Sequence, residues 1–166
     1  MFMRNCWYVG AWDHELEDGP LGRILLGEPV VFYRKADGTP VALEDRCCHR
    51  HAPLSKGVLV GDNIQCPYHG LTYDRTGRCV EIPGQERIAG TARVRAYPIV
   101  ERQQFVWIWM GDPKRADVAA ILDYPYHDQP ERWPHRRAMF PIEANYMMII
   151  DNLMDLSHRV TSTPGP

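Results

Sequence analysis

The 166-residue sequence lacks several features that would each define a class of protein. No apolar run approaches the roughly 20 residues that a membrane-spanning helix needs, so we expect no membrane segment. The formal net charge is only −2, which argues against nucleic acid as a partner. We also expect no cleaved leader, because Met1–Asn5 runs directly into polar sequence.

Cysteine is scarce as well. The five cysteines are too few, and odd in number, for the disulfide framework of a small secreted domain. Three of them, Cys6, Cys48 and Cys79, are predicted to be reduced thiols, which indicates a cytoplasmic protein. The remaining composition is that of an ordinary globular protein, and the length allows one or two domains.

The most informative stretch pairs one cysteine with one histidine twice. Cys47 and His49 form a C-x-H motif, and after sixteen intervening residues Cys66 and His69 form a C-x-x-H motif. In the Rieske arrangement, two thiolates hold one iron of a [2Fe–2S] cluster and two imidazoles hold the other. The short spacings put each pair on one tight loop, and the long gap lets the loops meet. These four residues therefore predict a [2Fe–2S] centre.

A tetrahedral zinc site is the alternative for the same four residues. Zinc fingers usually pair cysteine with cysteine and histidine with histidine, as C-x2–4-C followed by H-x3–5-H. Here each half mixes cysteine with histidine, which favours the iron–sulfur cluster. A zinc-binding structural module remains the alternative hypothesis, and metal analysis can distinguish it from a [2Fe–2S] centre.

Short strand-like runs separated by turn residues fill the chain up to Pro113. Hairpins are predicted around Gly27-Glu28, around Asp74–Gly77 and around Arg102-Gln103. This pattern predicts an all-β domain over residues 1–112, an antiparallel β-sandwich that carries the two cluster-binding loops.

The remaining sequence changes in character. Proline and aromatic residues are frequent before Pro134, so residues 113–134 are predicted to be a linker. Residues 135–166 are predicted to begin a second domain. It contains a helix from Glu143 to about His158, which has the apolar content that a packed helix needs.

Three polar side chains interrupt that apolar helix. Asp151, Asp155 and His158 stand at i, i+4 and i+7, so they would share one face. Such groups are costly on an apolar helix unless they have a partner, which makes them candidates for a site. An exposed polar stripe is the alternative interpretation.

These motifs resemble the oxygenase (alpha) component of the Rieske non-haem iron aromatic oxygenases, most closely the vanillate O-demethylase type. The resemblance covers residues 1 to about 160 and rests on Glu44–Arg50, Ala52–Ser55, Cys66–Leu71, Asn145–Tyr146 and Asp151–His158. It implies that an α+β catalytic domain of the helix-grip kind follows the Rieske domain. The chain holds only the start of that second domain.

The resemblance also assigns roles in the last helix. It makes His158 the first histidine of a mononuclear iron site, a facial triad of two histidines and one carboxylate. Asp155 corresponds to the bridging aspartate through which electrons pass from one subunit's cluster to its neighbour's iron. Asn152 corresponds to an asparagine close to that iron.

The tail departs from the family pattern. The family continues as H-x4-H, which puts the second iron histidine at the position of Thr163. No histidine follows His158, and the family's aspartate ligand would lie beyond the last residue. We therefore expect no mononuclear Fe(II) to be held here. We interpret the chain as a C-terminally truncated subunit, a frameshifted product or a fragment, that is catalytically incomplete alone.

The implied family activity is O2- and NADH-dependent hydroxylation or O-demethylation of an aromatic acid. The implied partners are a flavin and [2Fe–2S] reductase and two further copies in a homotrimer, with neither nucleic acid nor membrane. A stand-alone Rieske ferredoxin-like electron carrier is the alternative, because the cluster half is complete.

The resemblance bears on the reduction potential too. High-potential Rieske proteins have an extra cysteine in each loop and a serine near the sulfides, where this chain has His51 or Ala52, Tyr68 and Leu71. We therefore expect a potential at the low end of the Rieske range. Tyr73 is either a hydrogen-bond donor to the cluster or a tyrosine of the sandwich core, and the pattern favours neither.

Overall fold

The structure is a computed structural model, and it describes residues 2–155. Ten β-strands and one α-helix follow one another in that part of the chain. The strands are β1 (Trp7–Trp12), β2 (Leu21–Leu25), β3 (Glu28–Arg34), β4 (Pro40–Glu44), β5 (Val58–Val60), β6 (Asn63–Gln65), β7 (Thr72–Tyr73), β8 (Cys79–Glu81), β9 (Ile99–Arg102) and β10 (Phe105–Trp109). The helix is α1 (Tyr146–Met154). Among residues 2–155, no helix has the length and apolar character needed to span a membrane.

The strands form three antiparallel sheets. One has the order β1-β10-β9, the second β2-β3-β4 and the third β5-β6-β7-β8. The third sheet is built from the chain on both sides of the second cysteine–histidine motif. The predicted all-β, antiparallel fold class of this half is confirmed.

Strand β3 explains how one small domain supports two apolar cores. Val31 and Tyr33 point into a core shared with the third sheet. Val30 and Phe32 point the other way, into a core shared with β1 and β10. All four side chains are fully buried. The unbroken apolar run of β3 is therefore the pattern of a strand covered on both faces rather than on one.

In two of the predicted hairpins, the turn consists of two consecutive residues with a left-handed backbone conformation. Leu26 and Gly27 link β2 to β3 with φ of 53° and 81°, and Gln103 and Gln104 link β9 to β10 with φ of 57° and 64°. Two consecutive residues of positive φ match the twist of a tight hairpin. Strand β9 starts at Ile99, directly after Pro98, which has no N–H to give to a ladder.

The chain divides into two compact units, one ending at Pro134 and one starting at His135. Residues 113–134 belong to the first unit. Ile121 is buried there, and the Asp123 carboxylate accepts a hydrogen bond of 2.6 Å from the Gln103 side chain. A Rieske domain ending at residue 112 and a linker over 113–134 stay predictions, since this division does not separate them.

Helix α1 is shorter than predicted at both ends. It begins at Tyr146 because the Asn145 side chain caps it, accepting a hydrogen bond of 3.0 Å from the Met147 N–H. It ends at Met154, and Asp155 is extended, with φ −99° and ψ 97°. Asp155 therefore does not continue the helical face of Asp151, although its N–H still donates to the Asp151 carbonyl.

Candidate metal centre

Two loops of matching construction carry the cysteine–histidine motifs. In the first, the Cys47 N–H donates to the Ala52 carbonyl at 2.9 Å, and the His51 N–H donates back to the Cys47 carbonyl at 2.9 Å. In the second, the Cys66 N–H donates to the Leu71 carbonyl at 2.8 Å. The backbone closes each loop across the same number of residues, so each cysteine occupies the same first position.

The fifth position of each loop needs a left-handed backbone. Gly70 takes it in the second loop with φ 73°, and its N–H closes that loop on the Cys66 carbonyl at 3.2 Å. His51 takes it in the first loop with φ 58°. Positive φ is uncommon outside glycine, but histidine is among the residues that tolerate it better. His51 is exposed and, as expected, lies outside the predicted ligand positions.

A carboxylate braces the first loop from outside. Asp45 accepts hydrogen bonds from the Ser55 N–H at 2.7 Å and from the Ser55 hydroxyl at 2.5 Å. Both residues flank the loop, and Leu54 beside them is fully buried. This double hydrogen bond ties the start of the loop to its end, which holds Cys47 and His49 in place.

The two candidate cysteine ligands lie together on the buried side of the loops. Cys47 is 2% exposed and Cys66 is 3% exposed. Burial raises the pKa of the Cys66 thiol, and a hydrogen bond with the Cys47 side chain raises it further, against the lowering effect of the Tyr68 N–H. Two thiols in hydrogen-bonding contact are placed to hold one metal, which binds them as thiolates and releases their protons.

The two candidate histidine ligands lie together on the exposed side. The ring centroids of His49 and His69 are 4.7 Å apart, and both side chains are exposed. The ring of Tyr68 packs on His69 with the centroids 3.9 Å apart. The imidazole pair therefore forms the outer edge of the site, where another molecule can approach it.

The pairing of donors can be compared with what a one-metal site and a two-metal site each require. A single tetrahedral ion draws all four side chains around one point. In residues 2–155, no group of three or more cysteine, histidine or acidic side chains is arranged to hold one ion. A [2Fe–2S] cluster of the Rieske kind asks for two thiolates at one iron and two imidazoles at the other. The buried thiol pair and the exposed imidazole pair fit that requirement.

Tyr73 joins the site through its hydroxyl. The oxygen lies 3.1 Å from the Cys47 sulfur, 3.2 Å from the Cys48 sulfur, and 3.2 Å from the Cys48 nitrogen, whose N–H donates to it. Its ring is fully buried. The core position that the sequence allowed for Tyr73 is confirmed, and its polar end reaches a candidate ligand. A hydrogen bond from Tyr73 to the cluster stays a prediction.

An apolar wall beside the histidines was not anticipated from the sequence. Ile82 and Pro83 line a cavity of about 430 Å³ together with His49 and His69. The Pro83-Gly84 pair is the signal that could have found this wall, since such a pair marks a turn that brings the chain back over a surface.

The other predicted site residues belong to the second unit. Asn152 lies in the last turn of α1 and Asp155 follows its end, and both are exposed. His158 and Thr163 lie outside the described residues. The predicted roles of these residues at a mononuclear iron therefore stay predictions.

Comparison with known proteins places this geometry in a family. A family model described as Rieske [2Fe-2S] domain matches residues 6–98. The toluene-4-sulfonate monooxygenase system iron-sulfur subunit TsaM1 of Comamonas testosteroni is 53% identical over 159 residues, which are 95% of this chain and 46% of that protein. The vanillate O-demethylase oxygenase subunit of a Pseudomonas species is 42% identical over 158 residues, covering 95% and 44%.

A solved structure agrees with the sequence relatives. The crystal structure of dicamba monooxygenase with non-haem iron and dicamba superposes with a TM-score of 0.83 at 42% identity, covering 95% of this chain and 48% of that one. The chain thus spans about half the length of the relatives it matches.

The chain belongs to the Rieske [2Fe–2S] domain family. Its relatives are oxygenase components, including one of the vanillate O-demethylase type, so the resemblance drawn from the motifs is confirmed. The family match implies a [2Fe–2S] cofactor, as the cysteine–histidine spacing predicted.

Proposed function

We propose that Cys47, His49, Cys66 and His69 ligate a Rieske [2Fe–2S] cluster, and that the chain is the cluster-bearing part of an oxygenase component. One observation carries the proposal: two loops of the same backbone form present a buried thiol pair and an exposed imidazole pair. When bound, such a cluster accepts and releases one electron at a time.

The protein's own groups have distinct tasks in this proposal. The buried thiolates anchor the inner side, where water is excluded and the Tyr73 hydroxyl can donate to the Cys47 sulfur. The imidazoles of His49 and His69 form the outer edge and shorten the path to an electron donor or acceptor. Ile82 and Pro83 wall the cavity beside them and keep that edge partly apolar.

For the whole protein, we propose a Rieske-type monooxygenase or demethylase that acts on an aromatic acid with O2. The relatives named as monooxygenase and O-demethylase components support this class of reaction. Electrons come from a flavin and [2Fe–2S] reductase, and the active assembly is a homotrimer. We propose a cytoplasmic location, which suits Cys6, Cys48 and Cys79 as reduced thiols outside the ligand set.

The second unit receives its roles by residue-level resemblance. Asp155 is proposed to link cluster and iron across a subunit interface, Asn152 to stand near the mononuclear iron, and His158 to be an iron ligand. The dicamba monooxygenase structure with non-haem iron supports such a site in the family. A variant such as Asp155→Asn, tested in a longer chain that includes the remaining ligands, should block turnover while leaving cluster reduction intact.

An EPR spectrum of the dithionite-reduced chain, with iron and acid-labile sulfide counted on the same sample, tests the central proposal. The expected result is a Rieske-type signal with two irons and two sulfides per chain. Zinc without sulfide would overturn it in favour of a structural module. A third iron per chain would show that a mononuclear site is complete. Rapid electron transfer onward to an acceptor protein without substrate turnover would favour a ferredoxin-like carrier.

A further inference from the structure

The short segment from Pro53 to Gly57 lies between the two cluster loops in sequence. It contains a single 3-10 turn, Leu54–Lys56. The Leu54 side chain is fully buried in the same apolar core as Cys47 and Cys66. This segment, called the spacer below, is therefore anchored in the core to which both candidate thiol ligands belong.

One contact ties the spacer to the first loop. Asp45, two residues before Cys47, accepts hydrogen bonds from the Ser55 N–H at 2.7 Å and from the Ser55 hydroxyl at 2.5 Å. The Asp45 N–H in turn donates to the Pro29 carbonyl at 2.9 Å, at the start of β3. The start of the first loop is thus fixed to β3 and to the spacer at the same time.

Gly22 on strand β2 lies against this contact. A Cβ at Gly22 would lie 2.7 Å from the Ser55 hydroxyl oxygen and 3.2 Å from a carboxylate oxygen of Asp45. Both separations are shorter than the usual contact distance of nonbonded atoms. Because the two hydrogen bonds hold the Ser55 and Asp45 side chains in place, a side chain at Gly22 would have to displace that pair.

The other end of the spacer meets the second loop. A Cβ at Gly57 would lie only 1.9 Å from the carbonyl oxygen of Gln65, the residue directly before Cys66. The backbone of Gly57 is extended, with φ −88° and ψ −162°, a conformation open to any residue. Glycine is therefore required here by space and not by backbone angle. The obstacle is main chain, so a larger residue would have to push the start of the second loop away.

We propose that four residues outside the ligand set fix the separation of the two cluster loops: Gly22, Asp45, Ser55 and Gly57. This inference rests on the proposed function of the cluster loops. Two thiolates from different loops can share one iron only if the loops are held within about 0.5 Å of the right geometry. The four residues act through the backbone that carries the ligands, so they are positioning residues.

The first test compares two glycines of the same hairpin. Gly61, in the turn between β5 and β6, has φ 58° and open space around it, so Gly61→Ala strains the backbone without displacing a loop. Gly57→Ala should shorten the half-life of the cluster absorbance in excess EDTA by about tenfold or more, as loss of a ligand's supporting contact does. It should also shift the g values of the dithionite-reduced chain in EPR. Gly61→Ala should keep the wild-type half-life and g values.

A second pair of variants decides the question if Gly57→Ala does not fold. Asp45→Ala removes both hydrogen bonds to Ser55, whereas the amide in Asp45→Asn can accept from the Ser55 N–H and donate to its hydroxyl. Asp45→Ala should shorten the half-life and shift the g values, and Asp45→Asn should restore both. Failure of Asp45→Asn to restore them would assign the effect to the lost charge and overturn the positioning role.

The remaining outcomes separate this inference from the proposed function. A wild-type chain without iron and sulfide overturns both. A wild-type chain with a normal cluster, together with a folded Gly57→Ala or Asp45→Ala that keeps its half-life and g values, overturns the positioning role alone. So does a lowered unfolding midpoint with an unchanged EPR spectrum, because a contact that only stabilises the fold would give that result.

Discussion

At the scale of single residues, two consecutive cysteines have opposite surroundings. Cys47 is buried against Cys66, whereas Cys48 is exposed. Cys47→Ser and Cys66→Ser should each abolish the visible absorbance of the cluster, because a serine hydroxyl does not replace a buried thiolate ligand. Cys48→Ser is the matched control and should retain the absorbance. A normal Rieske spectrum in Cys47→Ser would refute the ligand assignment.

The Tyr73 hydroxyl is predicted to tune the reduction potential. Once Cys47 is a thiolate ligand, the hydroxyl 3.1 Å from its sulfur can only donate, and that bond strengthens when reduction adds negative charge. Tyr73→Phe should therefore lower the potential by about 20–60 mV, the equivalent of one net hydrogen bond. Redox titration followed by EPR measures it.

A second buried tyrosine provides the control for that experiment. The hydroxyl of Tyr33 is buried and has no hydrogen-bond partner among the described residues, so Tyr33→Phe removes an oxygen without removing a bond to a ligand. Its potential should equal that of the wild type. Equal potentials in Tyr73→Phe and Tyr33→Phe would show that the contact with Cys47 has no effect on the cluster.

At the scale of elements, the turn between β7 and β8 depends on one glycine. Gly77 has φ 77°, and a Cβ there would lie 2.2 Å from the Val94 carbonyl oxygen. Gly84 has the same φ of 77° with open space around it. Gly77→Ala should lower the free energy of unfolding by about 3 kcal/mol or more, and Gly84→Ala by about 1 kcal/mol, the cost of the backbone angle alone. Urea denaturation of both variants measures the difference, and equal losses would contradict the steric explanation.

Glu28 ties three separate parts of the first unit together. Its carboxylate accepts hydrogen bonds from Arg4, from Arg95 at 3.2 Å and from Tyr97 at 2.9 Å. Burial alone would raise the pKa of Glu28, but the hydrogen bonds from Arg4 and Tyr97 and the charges of both arginines outweigh it, and the pKa is lowered. The ionised carboxylate therefore stabilises the folded chain.

A depressed carboxylate pKa fixes the direction of the pH effect. The stabilisation by Glu28 is fully present above the unfolded pKa of about 4.3 and is lost as pH falls through the lower folded pKa. Glu28→Gln should thus cost about 1 kcal/mol at neutral pH, and the difference from wild type should shrink in acid. Denaturant unfolding at several pH values measures it, with the exposed Glu17→Gln as control. A difference in unfolding free energy that grows in acid would contradict a lowered pKa of Glu28.

At the scale of the whole molecule, the two units should separate under mild proteolysis. Residues 134–143 have no regular secondary structure and are exposed, so trypsin should cut early after Arg136. The larger product, which contains all four candidate ligands, should keep the cluster absorbance. Mass spectrometry of the first products, read beside the visible spectrum, checks this. Loss of the cluster at the first cut would show that the site depends on the second unit.

Local features of the sequence predicted the cluster loops and most hairpins, whereas long-range pairings were not predictable. The spacing of Cys47 and His49 and the turn at Gly27 are encoded within a few residues. The Arg78–Arg93 bridge and the two-faced burial of β3 depend on segments that meet only after folding. The ends of α1 were missed because its apolar content continues past the Asn145 cap and Asp155, where the backbone leaves the helix.

The backbone closure of the two loops has a practical consequence for engineering. Because N–H and carbonyl groups hold each loop in shape, the side chains between the ligands contribute little to that shape. Cys48, Pro67 and Tyr68 are exposed positions of this kind. They are suitable sites for a randomised library. Variants from it can be selected for partner preference or midpoint potential, and we expect them to retain the cluster.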